Sequence, residues 1–195
     1  MASESLPQPL VLALSDLSRW VQAENIPFVI VGGVAASLLG RPRLTRDIDA
    51  LVDLPESVWA TTVSRASAYG FVSRIENPVE FAERSRMLLL RHVATMIDID
   101  VMLAALAFER DTIANSRLVT HAGLQIRLPR VEDLLVMKAI AHRPQDLVDI
   151  DGLLSAHPKA DVDFVRQWVR EFAAAAAMPD LLTDFENIVL RQPTR

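Results

Sequence analysis

The chain has 195 residues, 51% of them hydrophobic and 23% charged, so it can bury a sizeable core and is not a disordered polymer. With 20 Lys and Arg against 25 Asp and Glu its formal net charge is -5, which excludes a broad basic face for nucleic acid while leaving room for a local basic groove. The absence of Cys excludes disulfides, thiolate metal sites and a thiol nucleophile.

Met1 to Gln8 reads as a loose terminus without the charged-then-apolar run of a secretory signal. No apolar stretch reaches the roughly 18 residues of a membrane span. The expectation is a soluble, cytoplasmic protein with no membrane partner. Leu10, Leu14, Leu17 and Val21 recur at helical spacing, predicting a helix over Leu10–Glu24 that Asn25-Ile26-Pro27 ends. Phe28–Val31 is a short apolar run of buried-strand type, and Gly32-Gly33 opens an Ala/Leu-rich helix ending near Gly40. Asp47–Asp53 alternates acidic and apolar residues, a period-two strand signal. Pro55–Tyr69 reads as a helix closed by Gly70, followed by a strand over Phe71–Ile75. Arg86–Val93 and Met96–Leu103 predict a hairpin turning near Ala94-Thr95.

Beyond that point the pattern changes. Phe108–Asn115 reads as a short helix, and Arg117–His121 and Gln125–Leu128 as short strands around Gly123. Val131–Ala141, Pro144–Leu154, Asp161–Ala177 and Leu181–Leu190 are then helical, the last with an apolar face that could meet a partner. The expected fold class is α+β: a mixed sheet (residues 28–128) preceded by a helix packed on it (1–27) and followed by a C-terminal helical extension (129–195).

The chemistry concentrates in acidic residues. Asp47 and Asp49, two apart on a strand, project from one face, and so do Asp98 and Asp100 on a later strand. Carboxylates crowded on one face repel unless a cation or proton lies between them, and hard oxygen donors of this kind suit Mg²⁺. The strand that ends at Gly32-Gly33 lets a backbone approach closely and points free N–H groups at an anion. Three acidic groups from two strands beside such a turn are the ingredients of a two-metal phosphoryl-transfer site.

Gly32-Gly33, a spacer, Asp47-Ile-Asp49 and a later acidic strand residue together resemble the polymerase-β nucleotidyltransferase superfamily. More narrowly, Arg43-Leu-Thr45-x-Asp47-x-Asp49 is similar to the minimal AbiEii-like group that includes the MenT toxins. Lys138-x-x-Ala-x-Arg143 and Asp146-x-x-Asp149 look like that group's later elements, and the likeness spans about Phe28 to Leu154. The resemblance implies a nucleotidyltransferase fold and an enzyme that moves NMP from an NTP such as ATP to an acceptor hydroxyl, releasing pyrophosphate. Two Mg²⁺ ions would be held by Asp47, Asp49 and a third carboxylate. That third ligand is Asp100, which Phe108-Glu109 follows at the family's spacing, with Asp98 as the alternative. Gly32, Gly33, Arg43, Thr45, Lys138, Arg143, Asp146 and Asp149 would bind the nucleotide or shape its site, with Lys138 also acting in catalysis on the triphosphate. Gly33 stands where many superfamily members carry Ser, so one hydroxyl contact to phosphate is missing. The implied acceptor is tRNA or a protein, in a toxin paired with an antitoxin protein; the alternatives are a small-molecule, antibiotic-type transferase and a non-catalytic nucleotide-binding or partner-binding module.

Taken one by one, these residues have plainer readings. Period-two acids also suit the solvated face of a half-exposed sheet, and a glycine pair suits any strand-to-helix turn. Lys138 could be a solvated side chain on an apolar helix, and Arg143 a decoration of a helix end. Asp146 and Asp149 fall in a first helical turn, where acids complement the dipole, and Asp146 could pair with Arg143. The histidines at 92, 121, 142 and 157 show no metal spacing, and Trp20, Trp59 and Trp168 read as packing residues.

Overall fold

A computed structural model describes residues 6–192; the first five positions of the expected loose terminus lie outside them. Helix α1 (Gln8–Ala23) leads into strand β1 (Phe28–Val31), helix α2 (Gly32–Leu39) and strand β2 (Asp47–Val52). A 3₁₀ turn (Glu56–Val58), helix α3 (Trp59–Ala66) and a second 3₁₀ turn (Ser67–Tyr69) precede strand β3 (Phe71–Ser73). Helix α4 (Pro78–Ser85), strands β4 (Met87–His92) and β5 (Ile97–Leu103), and helix α5 (Ala107–Ala114) follow, then strands β6 (Arg117–His121) and β7 (Leu124–Leu128). The remainder is helical: α6 (Val131–Ala141), α7 (Pro144–Ala156), α8 (Val162–Ala176) and α9 (Asp180–Arg191).

Two differences from the sequence reading have local causes. The stretch read as one helix over Pro55–Tyr69 is a tightened succession of 3₁₀, α and 3₁₀ turns, in which Val58 leaves helical geometry at φ -110 and ψ 0. Helix α4 carries no signal strong enough to read in advance. It has eight residues, and Ala82 is its one fully buried side chain. Pro78 at its first turn, where no N–H is needed, starts it.

The chain divides into two compact units, Met1–Val34 with Leu44–Pro129, and Ala35–Arg43 with Arg130–Arg195. In the first, the strands form a five-stranded sheet in the order β1-β2-β5-β4-β3 and a separate pair β6-β7. Strands β2 and β5 run parallel; β1-β2, β5-β4 and β4-β3 run antiparallel, so the sheet is mixed, as expected. Its alternation sends Ile48, Ala50 and Val52 of β2, Ile99, Val101 and Leu103 of β5, and Leu88 and Leu90 of β4 into the core. Helix α1 contributes Leu10, Leu14, Leu17 and Trp20, and Trp20 stacks 5.5 Å from Phe71 of β3. Each such large side chain adds roughly 1.5–3 kcal/mol on burial. The residues of opposite parity, Asp47, Asp49, Asp98 and Asp100, stay exposed or half-buried.

In the second unit α6, α7, α8 and α9 pack on one another through Leu134, Leu135, Ile150, Leu153, Val165, Val169, Leu181, Phe185 and Ile188. The apolar face expected on α9 as a partner surface is therefore consumed by packing: Leu181, Phe185 and Ile188 are buried, and Leu190 at 80% exposure is what remains. Among the described residues no helix is long and apolar enough to cross a membrane.

One polar contact inside the first unit is costly to lose. His92 is buried at 1% exposure, its Nε2 lying 2.9 Å from Asp16 Oδ2 on α1 and its Nδ1 2.8 Å from the Thr95 hydroxyl in the β4-β5 turn. A carboxylate only accepts, so Nε2 carries the proton there. Asp16→Ala leaves that buried donor unsatisfied and is expected to cost about 1–3 kcal/mol in chemical denaturation. An unchanged midpoint would show that the contact is not held in solution.

Candidate active site

Strands β2 and β5 pair in parallel with Asp47 opposite Asp98 and Asp49 opposite Asp100. The four carboxylates thus lie in two neighbouring rows on one sheet face, the pairing that like charges resist most. Two hydrogen bonds hold individual members, and a glycine makes room for one of them. Thr45, buried just before β2, donates its hydroxyl to Asp47 Oδ1 at 3.1 Å. Asp49 Oδ2 accepts from the Gly33 N–H at 3.4 Å. Gly32, at φ +59, passes so close that a Cβ there would stand 1.8 Å from Asp49 Oδ2, so only glycine is tolerated.

Asp98 and Asp100 differ in company. The Arg91 guanidinium, across the hairpin on β4, grips Asp98 through Nε at 2.6 Å and Nη2 at 3.2 Å. Arg74, just past β3, donates from Nη1 to Asp98 Oδ2 at 3.0 Å and from Nη2 to Asp100 Oδ1. The Arg91 hydrogen bond, opposed by partial burial and assisted by Arg74, holds the Asp98 carboxyl below its ordinary value. Asp100 moves the other way: burial and the negative charges of Asp47 and Asp98 push it up, and Arg74 offsets only part of this. Two carboxylates that share a cation and a third that feels their charge are an electrostatic deficit on the open face.

Among the described residues no three His, Asp or Glu side chains stand converged as a group able to hold a metal. The donor set nevertheless suits a hard divalent cation in its chemistry. It offers oxygen ligands alone, from paired strands, with Asp100 destabilised in its charged form by burial and by the charge of Asp47. Asp100 is engaged by Arg74 instead.

The other candidate residues gather in the second unit. Lys138 is 4% exposed, and its Nζ donates to Asp146 Oδ1 at 2.7 Å and meets Asp149 Oδ2 at 2.8 Å. Arg43 takes Asp149 with a two-pronged grip, Nε to Oδ1 at 2.7 Å and Nη2 to Oδ2 at 2.9 Å. Arg143 holds Asp146 from Nε at 2.6 Å. Burial pushes Asp146 and Asp149 up, but the bonds from Arg143 and Lys138 to the first, and from Arg43 and Lys138 to the second, outweigh it and hold both below the ordinary carboxylate value. Lys138 is therefore neither solvated nor snorkelling. Its role here is to neutralise two buried acids, an arrangement in which losing one partner leaves uncompensated charge. Asp146 and Asp149 are ion-pair members rather than exposed dipole complements, and the pairing of Asp146 with Arg143 is present.

Arg74 and Arg91 escaped the sequence reading. For Arg91 a signal existed: a hairpin turning at Ala94-Thr95 sets it opposite Asp98. Arg74 reaches Asp98 and Asp100 across an edge-strand pairing that no local pattern announces.

The two acids are expected to respond oppositely to neutralisation. A carboxyl depressed in the folded state contributes stability above its unfolded value of about 3.9, lost as pH falls through the folded value. Asp98→Asn should therefore lower the thermal midpoint at pH 7. A carboxyl raised in the folded state costs stability once ionised, so Asp100→Asn should raise it. Thermal unfolding of both variants at pH 7 checks this, and the reverse order would contradict the assigned electrostatics.

Among solved structures, similar folds include an antigenic nucleotidyltransferase-like protein from Paracoccidioides brasiliensis, at TM-score 0.58 and 15% identity over 93% of this chain and 94% of that one. The antibiotic-resistance factor ANT(2'')-Ia matches at TM-score 0.59 and 16% identity, over 88% of this chain and 94% of its own. The lincosamide antibiotic adenylyltransferase LnuA, solved with lincomycin bound, matches at 0.53 and 14%, over 78% and 99%. At these identities the likeness establishes the fold, a nucleotidyltransferase one. A comparison with curated proteins finds no match. The family model described as "Nucleotidyltransferase of unknown function (DUF6036)" matches residues 13–180, most of the chain including both acidic strands, and the protein belongs to that family.

Proposed function

We propose that this chain is a divalent-metal-dependent nucleotidyltransferase, moving NMP from an NTP to an acceptor hydroxyl with release of pyrophosphate. The observation that carries the reading is the in-register placement of Asp47, Asp49 and Asp100 on one face of β2 and β5, under a Gly32 that admits no side chain. Asp98 is committed to Arg91 and Arg74, which favours Asp100 as the third ligand. Mg²⁺ held by Asp47, Asp49 and Asp100 would supply charge neutralisation on the phosphates and a lowered pKa for the acceptor hydroxyl.

The chain's own residues supply the rest. Thr45 fixes the rotamer of Asp47 by donating to it, and Gly33 fixes Asp49 with a backbone N–H. The start of α2 presents backbone N–H groups that suit phosphate oxygens. Lys138, Arg43 and Arg143 we assign to positioning: with Asp146 and Asp149 they hold the Ala35–Arg43 segment on α6 and α7.

The Arg43-Leu-Thr45-x-Asp47-x-Asp49 pattern supports a finer reading, an AbiEii/MenT-like toxin that modifies tRNA or a protein and is restrained by an antitoxin. The competing acceptor is a small molecule, as two solved proteins of similar fold act in antibiotic resistance or antibiotic adenylylation.

The test incubates purified protein and Mg²⁺ with each NTP labelled at the α-phosphate, offering tRNA, lysate protein and a small-molecule panel as acceptors. Asp49→Asn serves as control. Label should pass to one acceptor class, and the variant should lose at least about 100-fold in rate. Transfer that survives Asp49→Asn, or pyrophosphate release from no NTP, would overturn the reading.

A further inference from the structure

We propose that Arg74 is the resident counter-cation of Asp100, displaced from it when a divalent cation binds, so that this one side chain sets the metal affinity of the site. The inference rests on the reading of Asp100 as a metal ligand.

Arg74 is placed for this by the sheet. Its backbone N–H donates to the Leu89 carbonyl at 2.9 Å, and Leu89 stands opposite Asp100 in the β4-β5 register. Its side chain is 22% exposed and divides its guanidinium between two carboxylates, Nη1 to Asp98 and Nη2 to Asp100. Asp98 has a second cation in Arg91, which grips it through two nitrogens. Asp100 has Arg74 alone among the described cationic side chains. Removing Arg74 from Asp100 thus strands no partner other than the carboxylate a metal would take up.

The grip is also incomplete. Arg74 Nε is buried and has no acceptor. A guanidinium carries five donors in a fixed fork and binds best two-pronged to one carboxylate, as Arg43 does with Asp149. Stretched between two acids with one donor orphaned, Arg74 lacks the satisfaction expected of a permanent structural bridge. A fixed +1 charge in contact with one prospective ligand both competes for that ligand and repels an arriving dication. Its presence keeps the acidic face tolerable before metal arrives, at the expense of affinity.

The test titrates Mn²⁺ alone, without nucleotide, into the unmodified protein, Arg74→Met, Asp100→Asn and Arg84→Met, read by isothermal titration calorimetry. Arg84 lies on α4 at the surface and controls for simple loss of net charge. Arg74→Met should bind Mn²⁺ on the order of tenfold more tightly, Arg84→Met within about twofold of the unmodified protein, and Asp100→Asn most weakly. If Arg74→Met does not fold, Arg74→Gln, which keeps a donor for Asp98 and loses the charge, should show the same tightening. Unchanged or weaker binding by the Arg74 variants, with binding still dependent on Asp100, would overturn the role of Arg74 and leave the metal reading standing. No Mn²⁺ binding by any form would overturn both.

Discussion

Strands β2 and β5 run parallel with acid opposite acid, Asp47 beside Asp98 and Asp49 beside Asp100. Like charges facing one another across a ladder oppose the pairing that holds them, and the polar contacts around these acids answer that repulsion. Thr45 and the Gly33 N–H each donate to one carboxylate, Arg91 neutralises Asp98, and Arg74 divides its charge between Asp98 and Asp100. The apolar side of the same strands supplies the compensation. Ile48, Ala50, Ile99 and Val101 are buried, so the register that aligns the acids is the one that fills the core. A slip by one residue would turn the acids into the core and the apolar residues out, so burial fixes the register despite the repulsion.

The second unit handles charge differently. Lys138, Asp146 and Asp149 are almost wholly buried, with Arg43 and Arg143 completing the pairs, so Asp146 and Asp149 each have two basic partners. Both acids sit below their ordinary pKa, whereas Asp100 sits above. The contrast separates a satisfied ion cluster, which rigidifies, from the strained acidic face to which we assign the proposed ligand.

Much of this was legible in the sequence. The strand before Gly32 was readable as an unbroken apolar run, β2 from its alternating acids and α6 from its apolar content, with Pro27, Gly32 and Pro129 marking ends. That Asp47 and Asp49 share a face, and Asp98 and Asp100 likewise, follows from strand geometry; that the two strands pair in register and bring Asp100 beside Asp49 does not. What could not be read depends on separation along the chain: Arg74 meets acids 24 and 26 residues away, and Lys138 meets partners on a different helix. Helix α4 is too short, with too narrow a buried stripe, to leave a periodic trace. The apolar face of α9 was visible, but its destination was not, since α7 and α8 provide it.

The proposed reading puts a metal-bound nucleoside triphosphate on the open acidic face. The direct measurement is thermal unfolding with Mg²⁺, with a non-hydrolysable NTP analogue, and with both, on the unmodified protein and on Asp47→Asn. The two ligands together should stabilise the unmodified protein by about 2.7 kcal/mol at 100 times the Kd, far more than either alone, and the shift should vanish in Asp47→Asn. No shift with any NTP, or an equal shift in Asp47→Asn, would contradict the account.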